Sequence, residues 1–121
     1  MRNHPLMQFF TFAHLPQSLQ DASAPFCALA EVVISYDDHE LETRGLELLE
    51  AVRKGLMAIP LSEQNTETDH AIAKLREAGN VIRGTHVIID RIERLSVLLR
   101  LLLEAKDCAV RSVLYKEPQE G

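Results

Sequence analysis

The stretch RLLLEAKDCAVR, residues 100–111, decides how this chain is read. Its leucines, alanines, arginines and glutamate are strong helix formers, and nothing in the run breaks a helix. At about 100° per residue, Leu95, Leu99, Leu102, Ala109, Val110 and Val113 fall on one face, and Lys106 falls in the middle of it. A lysine is almost never fully buried without a partner, because taking its ammonium out of water is costly. Three placements answer this: the stem snorkels, the ammonium pairs with a carboxylate such as Glu31, or it meets an anion at a subunit interface. Arg100, Glu104, Asp107 and Arg111 share another, narrow stripe, expected to be a solvated face with arginine–glutamate pairs.

Outward from this run, the helical pattern extends from about His86 to Tyr115 and is unusually apolar. So apolar a last helix exceeds what one small bundle buries, which points to a homo-oligomer. Immediately before it, VIRGTHVII (residues 81–89) is rich in β-branched residues but lacks alternation, so a strand is the alternative there. Upstream, a first helix is expected from Pro16 to about Ser35, bent or split near Pro25, with Leu19, Ala22, Phe26, Leu29, Ala30 and Val33 as its buried stripe. A second opens at SYDDHE, carries Leu41, Gly45, Leu48, Leu49, Val52, Leu56 and Ile59 on one face, and ends at Pro60. A third begins after the polar LSEQNTET loop, with Thr66 as the expected N-cap and Asp69 three residues on, and stops at Gly79-Asn80 or Gly84. LELLEAVRKGLMA (46–58) echoes RLLLEAKDCAVRS (100–112) and sets Lys106 opposite Val52. Residues 1–15, with three of the four phenylalanines and no helical period, read as an extended aromatic arm. The fold class is therefore all-α: one domain over residues 1–121, about four helices and the arm.

Composition narrows the function. A net charge of -5 argues against general nucleic-acid binding, which favours a strongly basic chain. The charge is uneven: nine carboxylates face three basic residues from Asp37 to Asp69, whereas nine basic residues outnumber five acids from Lys74 to Lys116. Any anion site belongs on the second half. Cys27 and Cys108 sit inside apolar helical patterns and read as buried free thiols in a reducing compartment. No secretory leader or membrane span is expected, since His4, Pro5 and Gln8 interrupt the start and Arg100 the leucine run.

Enzyme chemistry finds little support. The five histidines are dispersed, no HExxH or cysteine–histidine spacing presents itself, and no glycine-rich phosphate loop exists, so neither metal nor cofactor is expected. Asp69-His70 reads as a helix start, and no nucleophile elbow is present. Phe9, Phe10, Phe12 and His14 offer flat faces on which a base can stack, although core or oligomer packing is their more frequent use.

HPLMQFFTFAHLPQSLQDASAPFCALAEVV (4–33) and LRLLLEAKDCAVRSVL (99–114) resemble the two ends of small phage and prophage proteins of the form HPL-FF-HLP, PFC-LA and LLEAKDCAVR. In those proteins the two pieces form a helical hairpin; here residues 34–92 lie between them and look like an added helical hairpin. Phe10-Thr11-Phe12, Leu29-Ala30 and Leu102 with Glu104-Ala105 are further similar in plan to the helical-hairpin domain of phage sponge proteins, which sequester cyclic nucleotide signals of bacterial CBASS and Thoeris defence. That resemblance implies a non-catalytic homo-oligomer in the cytoplasm of an infected bacterium, sequestering a cyclic nucleotide. Phe10, Phe12 and His14 are then the residues to stack a base, and Lys106 and Arg111 those to meet phosphate. The other reading is a structural or protein-interaction module that binds a host or phage protein through its helical face.

Overall fold

The computed structural model describes residues 4–35, 37–84 and 91–116, and every regular element among them is helical. Helix α1 is Gln17–Ser35. Helix α2 opens at Asp38–Glu40, passes through a π-helical stretch, Leu41–Gly45, and continues as Leu46–Met57. Helix α3 is Thr66–Arg83, and α4 is Arg91–Lys116. Short 3-10 helices, Pro5–Phe9 and Leu61–Glu63, precede α1 and α3. The strand alternative falls largely outside the described residues; Val81, Ile82 and Arg83 close α3, and Gly84 is its C-cap.

α4 is the organising helix, packed along both α3 and α1, with α2 laid across α3. Its Leu98, Leu99 and Leu102 are almost completely buried, alongside Phe26, Ala30 and Val33 of α1 and Ala71, Leu75, Ala78 and Ile82 of α3. Burying one such leucine contributes about 1.5–3 kcal/mol relative to exposure. The apolar run is thus spent largely inside the chain's own bundle, though Ile92, Val97 and Leu114 still face solvent. Pro25 sits inside an unbroken α1.

The N-cap of α3 is Asn65, not Thr66. Asn65 Oδ1 accepts from the Thr68 N–H at 3.2 Å, and Thr68 Oγ1 accepts from the Asn65 N–H at 3.1 Å. Asparagine is a strong N-cap residue, and the reciprocal bond from three positions on satisfies a second helix-end donor. The same junction ties α3 to α4: Thr68 Oγ1 lies 2.6 Å from Ser112 Oγ, and Asn65 Nδ2 donates to the Ser112 carbonyl at 3.1 Å. Both hydroxyls are buried. Thr68→Val keeps the shape but leaves Ser112 without its partner, so it should cost about 1–3 kcal/mol in urea denaturation. Adding Ser112→Ala should recover part of that loss, because the two residues act as one unit.

The N-terminal arm is not extended. Pro5 fixes the first turn and His4 Nδ1 accepts from the Leu6 N–H at 3.1 Å, so residues 5–9 wind into a 3-10 helix. With Nδ1 accepting, Nε2 carries the proton and donates to Ser96 Oγ of α4 at 3.0 Å. His4 is buried, and Leu6, Met7 and Phe12 pack on the core. The arm is a strap across α4.

Candidate functional site

The residues expected to bind a ligand do not converge on one point of the chain. Phe10 is part of the core, Phe12 packs against it half-buried, and His14 is exposed. Lys106 is buried at 8% exposure, and its Nζ donates to the Phe9 carbonyl at 2.6 Å. The charge inside the apolar face therefore holds down the strap through a backbone oxygen. Burial pushes the neighbouring Cys27 thiol up, the Lys106 ammonium opposes that, and Glu31 reinforces it. Lys106→Met keeps the stem's packing but removes the charged donor over Phe9. Its melting temperature should change little, whereas proteolysis within residues 5–12 should accelerate.

Arg111 lies on the far side of α4, facing α3. Its Nε donates to Glu67 Oε2 at 3.1 Å and its Nη2 to Cys108 Sγ at 3.3 Å. Two helical turns earlier, Glu104 pairs with Lys74 of α3 at 2.8 Å. The stripe expected to be a solvated face with arginine–glutamate pairs is half seam: Arg100 and Asp107 are exposed, while Glu104 and Arg111 reach across to Lys74 and Glu67 of α3. A helical wheel shows which residues share a face, but not which neighbour the edge of that face meets.

Together His70, Lys74, Glu104, Asp107, Cys108 and Arg111 line an open groove of about 540 Å³. That volume lies within the range of small-molecule sites, roughly 300–1,000 Å³. Three of its walls carry basic groups, each beside a carboxylate. The Glu104 hydrogen bond and charge hold Lys74 above its ordinary value. For Glu67, burial raises the carboxyl, but the Arg111 hydrogen bond and charge, with smaller help from Cys108 and His70, together outweigh it, and the net shift is downward. A depressed carboxylate contributes stability above its ordinary titration range and loses it as pH falls through the folded-state value. The melting temperature should thus decline on acidification below about pH 4. Glu67→Gln should shrink that acid limb while leaving alkaline behaviour unchanged.

Sequence reading missed His70 and Lys74 as groove residues, and Glu67 as the partner of Arg111 beside them. The available signal was their spacing: positions 67, 70 and 74 lie three and four apart, on one face of α3. Glu67, His70 and Cys108 present donor atoms all within 4.8 Å of one another. No HExxH spacing announces this group, because the third member comes from another helix.

A second groove, of about 600 Å³, opens between α1, α2 and the end of α4, with Ala22, Pro25, Leu48, Val52, Leu56 and Val113 among its walls. It is almost wholly apolar, and Leu48 remains 42% exposed. Among the described residues, no helix is long and apolar enough to cross a membrane. No protein-family model, curated protein or solved structure matches the chain.

Proposed function

We propose that this is a non-catalytic, phage-encoded binding protein that sequesters a cyclic nucleotide signal of bacterial defence, working as a homo-oligomer in the cytoplasm of the infected cell. The observation that carries the reading is the α3/α4 groove of about 540 Å³, where Arg111, from the LLEAKDCAVR segment that resembles the phage proteins, meets Lys74 and His70 of α3, which lie outside that resemblance. Phosphate takes the place of Glu67 on the Arg111 guanidinium and of Glu104 on Lys74. Such exchange is inexpensive, because partly exposed ion pairs contribute little on their own. The base stacks on an exposed aromatic of a second copy, Phe9 or His14, both presented by the strap. Phe10 and Phe12 support that strap, and Lys106 anchors it.

Mass spectrometry of small molecules released by heating the purified protein, after incubation with a panel of cyclic nucleotides, tests this. The expected result is one nucleotide recovered intact, since binding without a positioned nucleophile leaves covalent bonds alone. A cleaved product would point to an enzyme.

The apolar α1/α2/α4 groove favours a second reading, a protein-interaction module that takes an apolar helix or loop of a host protein. Co-purification of a host protein, with no nucleotide shifting the melting temperature, would select it.

A further inference from the structure

We propose that Glu67, His70 and Cys108 form a zinc site at the seam of α3 and α4. Glu67 and His70 are three residues apart on the first turns of α3, so their side chains leave the helix on the same side. Cys108 projects from α4 to meet them, and the three donor atoms lie within 4.8 Å of one another. In a tetrahedral zinc centre, bonds of about 2.3 Å to sulfur and 2.0–2.2 Å to nitrogen and oxygen bring the ligand atoms to about 3.5 Å apart. Closing the remaining ångström or so falls to Glu67 and His70, which are half-buried and exposed, while Cys108 stays fixed in the core edge.

Ligand chemistry selects the metal. One thiolate, one imidazole and one carboxylate suit zinc, whereas calcium and magnesium call for all-oxygen shells. Zinc replaces the Cys108 thiol proton, which leaves to solvent, forming the Zn–S bond. The metal's two positive charges are then balanced by the thiolate and the carboxylate. Arg111, already donating to Glu67 and to Cys108 Sγ, becomes the outer hydrogen-bond donor that orients both ligands. The fourth position opens on the groove beside Lys74 and Asp107, where water or an anionic oxygen completes the shell. The site shares His70 and Arg111 with the groove proposed for the nucleotide, but its test uses metal alone, so its failure is distinguishable from failure of nucleotide binding.

Titrating the reduced, metal-free protein with cobalt(II), followed by competition with zinc, tests it. The expected result is one equivalent bound, with a thiolate-to-cobalt charge-transfer band and tetrahedral visible bands that zinc abolishes. Cys108→Ser should eliminate the charge-transfer band. His70→Ala, at an exposed position that leaves the fold intact, should weaken zinc by more than tenfold. Cys27→Ser should bind like the parent. Absence of the band, or its survival in Cys108→Ser, overturns the proposal, as does unchanged affinity in His70→Ala.

Discussion

Leu99→Ala is expected to destabilise the protein by about 2–5 kcal/mol, the largest loss of stability among the changes considered. Leu99 is fully buried on α4, the helix shared by the α1 and α3 interfaces. Removing its side chain forfeits the transfer free energy and leaves a cavity that two flanking helices must close at once. A domain of this size is stable by about 5–15 kcal/mol, so the variant should unfold at markedly lower urea concentration. Leu114→Ala is the control on the same helix, because Leu114 is 39% exposed and should cost little. Equal losses at the two positions would mean that α4 does not occupy the centre of the bundle.

The second large effect is on binding. Under the proposed reading, Arg111→Met is expected to weaken nucleotide uptake sharply while preserving the fold, because a guanidinium meets phosphate as a bidentate fork and the stability role of Arg111 is a partly exposed pair with Glu67. A charge-assisted contact of about 1.5–3 kcal/mol corresponds to roughly ten- to more than hundredfold in affinity. Lys74→Met should produce a smaller loss, since a lysine meets phosphate as a point charge rather than as a fork. Lys106→Met should spare phosphate binding in the groove itself, as its ammonium lies against the strap. Loss of uptake from Lys106→Met equal to that from Arg111→Met would mean that the arm side of α4 holds the ligand.

How far the sequence carries this picture depends on the range of the interaction. Helical periodicity is local, so α1, α3 and α4 were legible from leucine and alanine spacing, and Lys106 stood out because a charge broke its face. The strap was not legible. It depends on Pro5 setting a turn and on His4 finding Ser96, a partner 92 positions away. The α3 cap shows the same division: Asn65 and Thr66 are both good capping residues, and the choice falls to Asn65 because Thr68 both returns its bond and reaches Ser112. The π-helical stretch Leu41–Gly45 had no signal in a pattern read at a single helical period. As for the groove, Lys74 and Arg111 fall within the basic second half, while His70 lies outside it. The groove's carboxylates, Glu104 and Asp107, lie on α4 with Cys108 and Arg111, whereas His70 and Lys74 come from α3, and only the α3/α4 packing brings the two sets together.

The central claim is that the α3/α4 groove binds a nucleotide, and the most direct measurement is the melting temperature of the parent and of Arg111→Met across a panel of cyclic nucleotides. A ligand that binds only the folded state raises it, by an amount equivalent to about 2.7 kcal/mol at a hundredfold excess over the dissociation constant. The account predicts such a rise for at least one cyclic nucleotide with the parent protein, and its disappearance in Arg111→Met with the unliganded melting temperature nearly unchanged. No shift with any member of the panel, or a shift that persists undiminished in Arg111→Met, would contradict it.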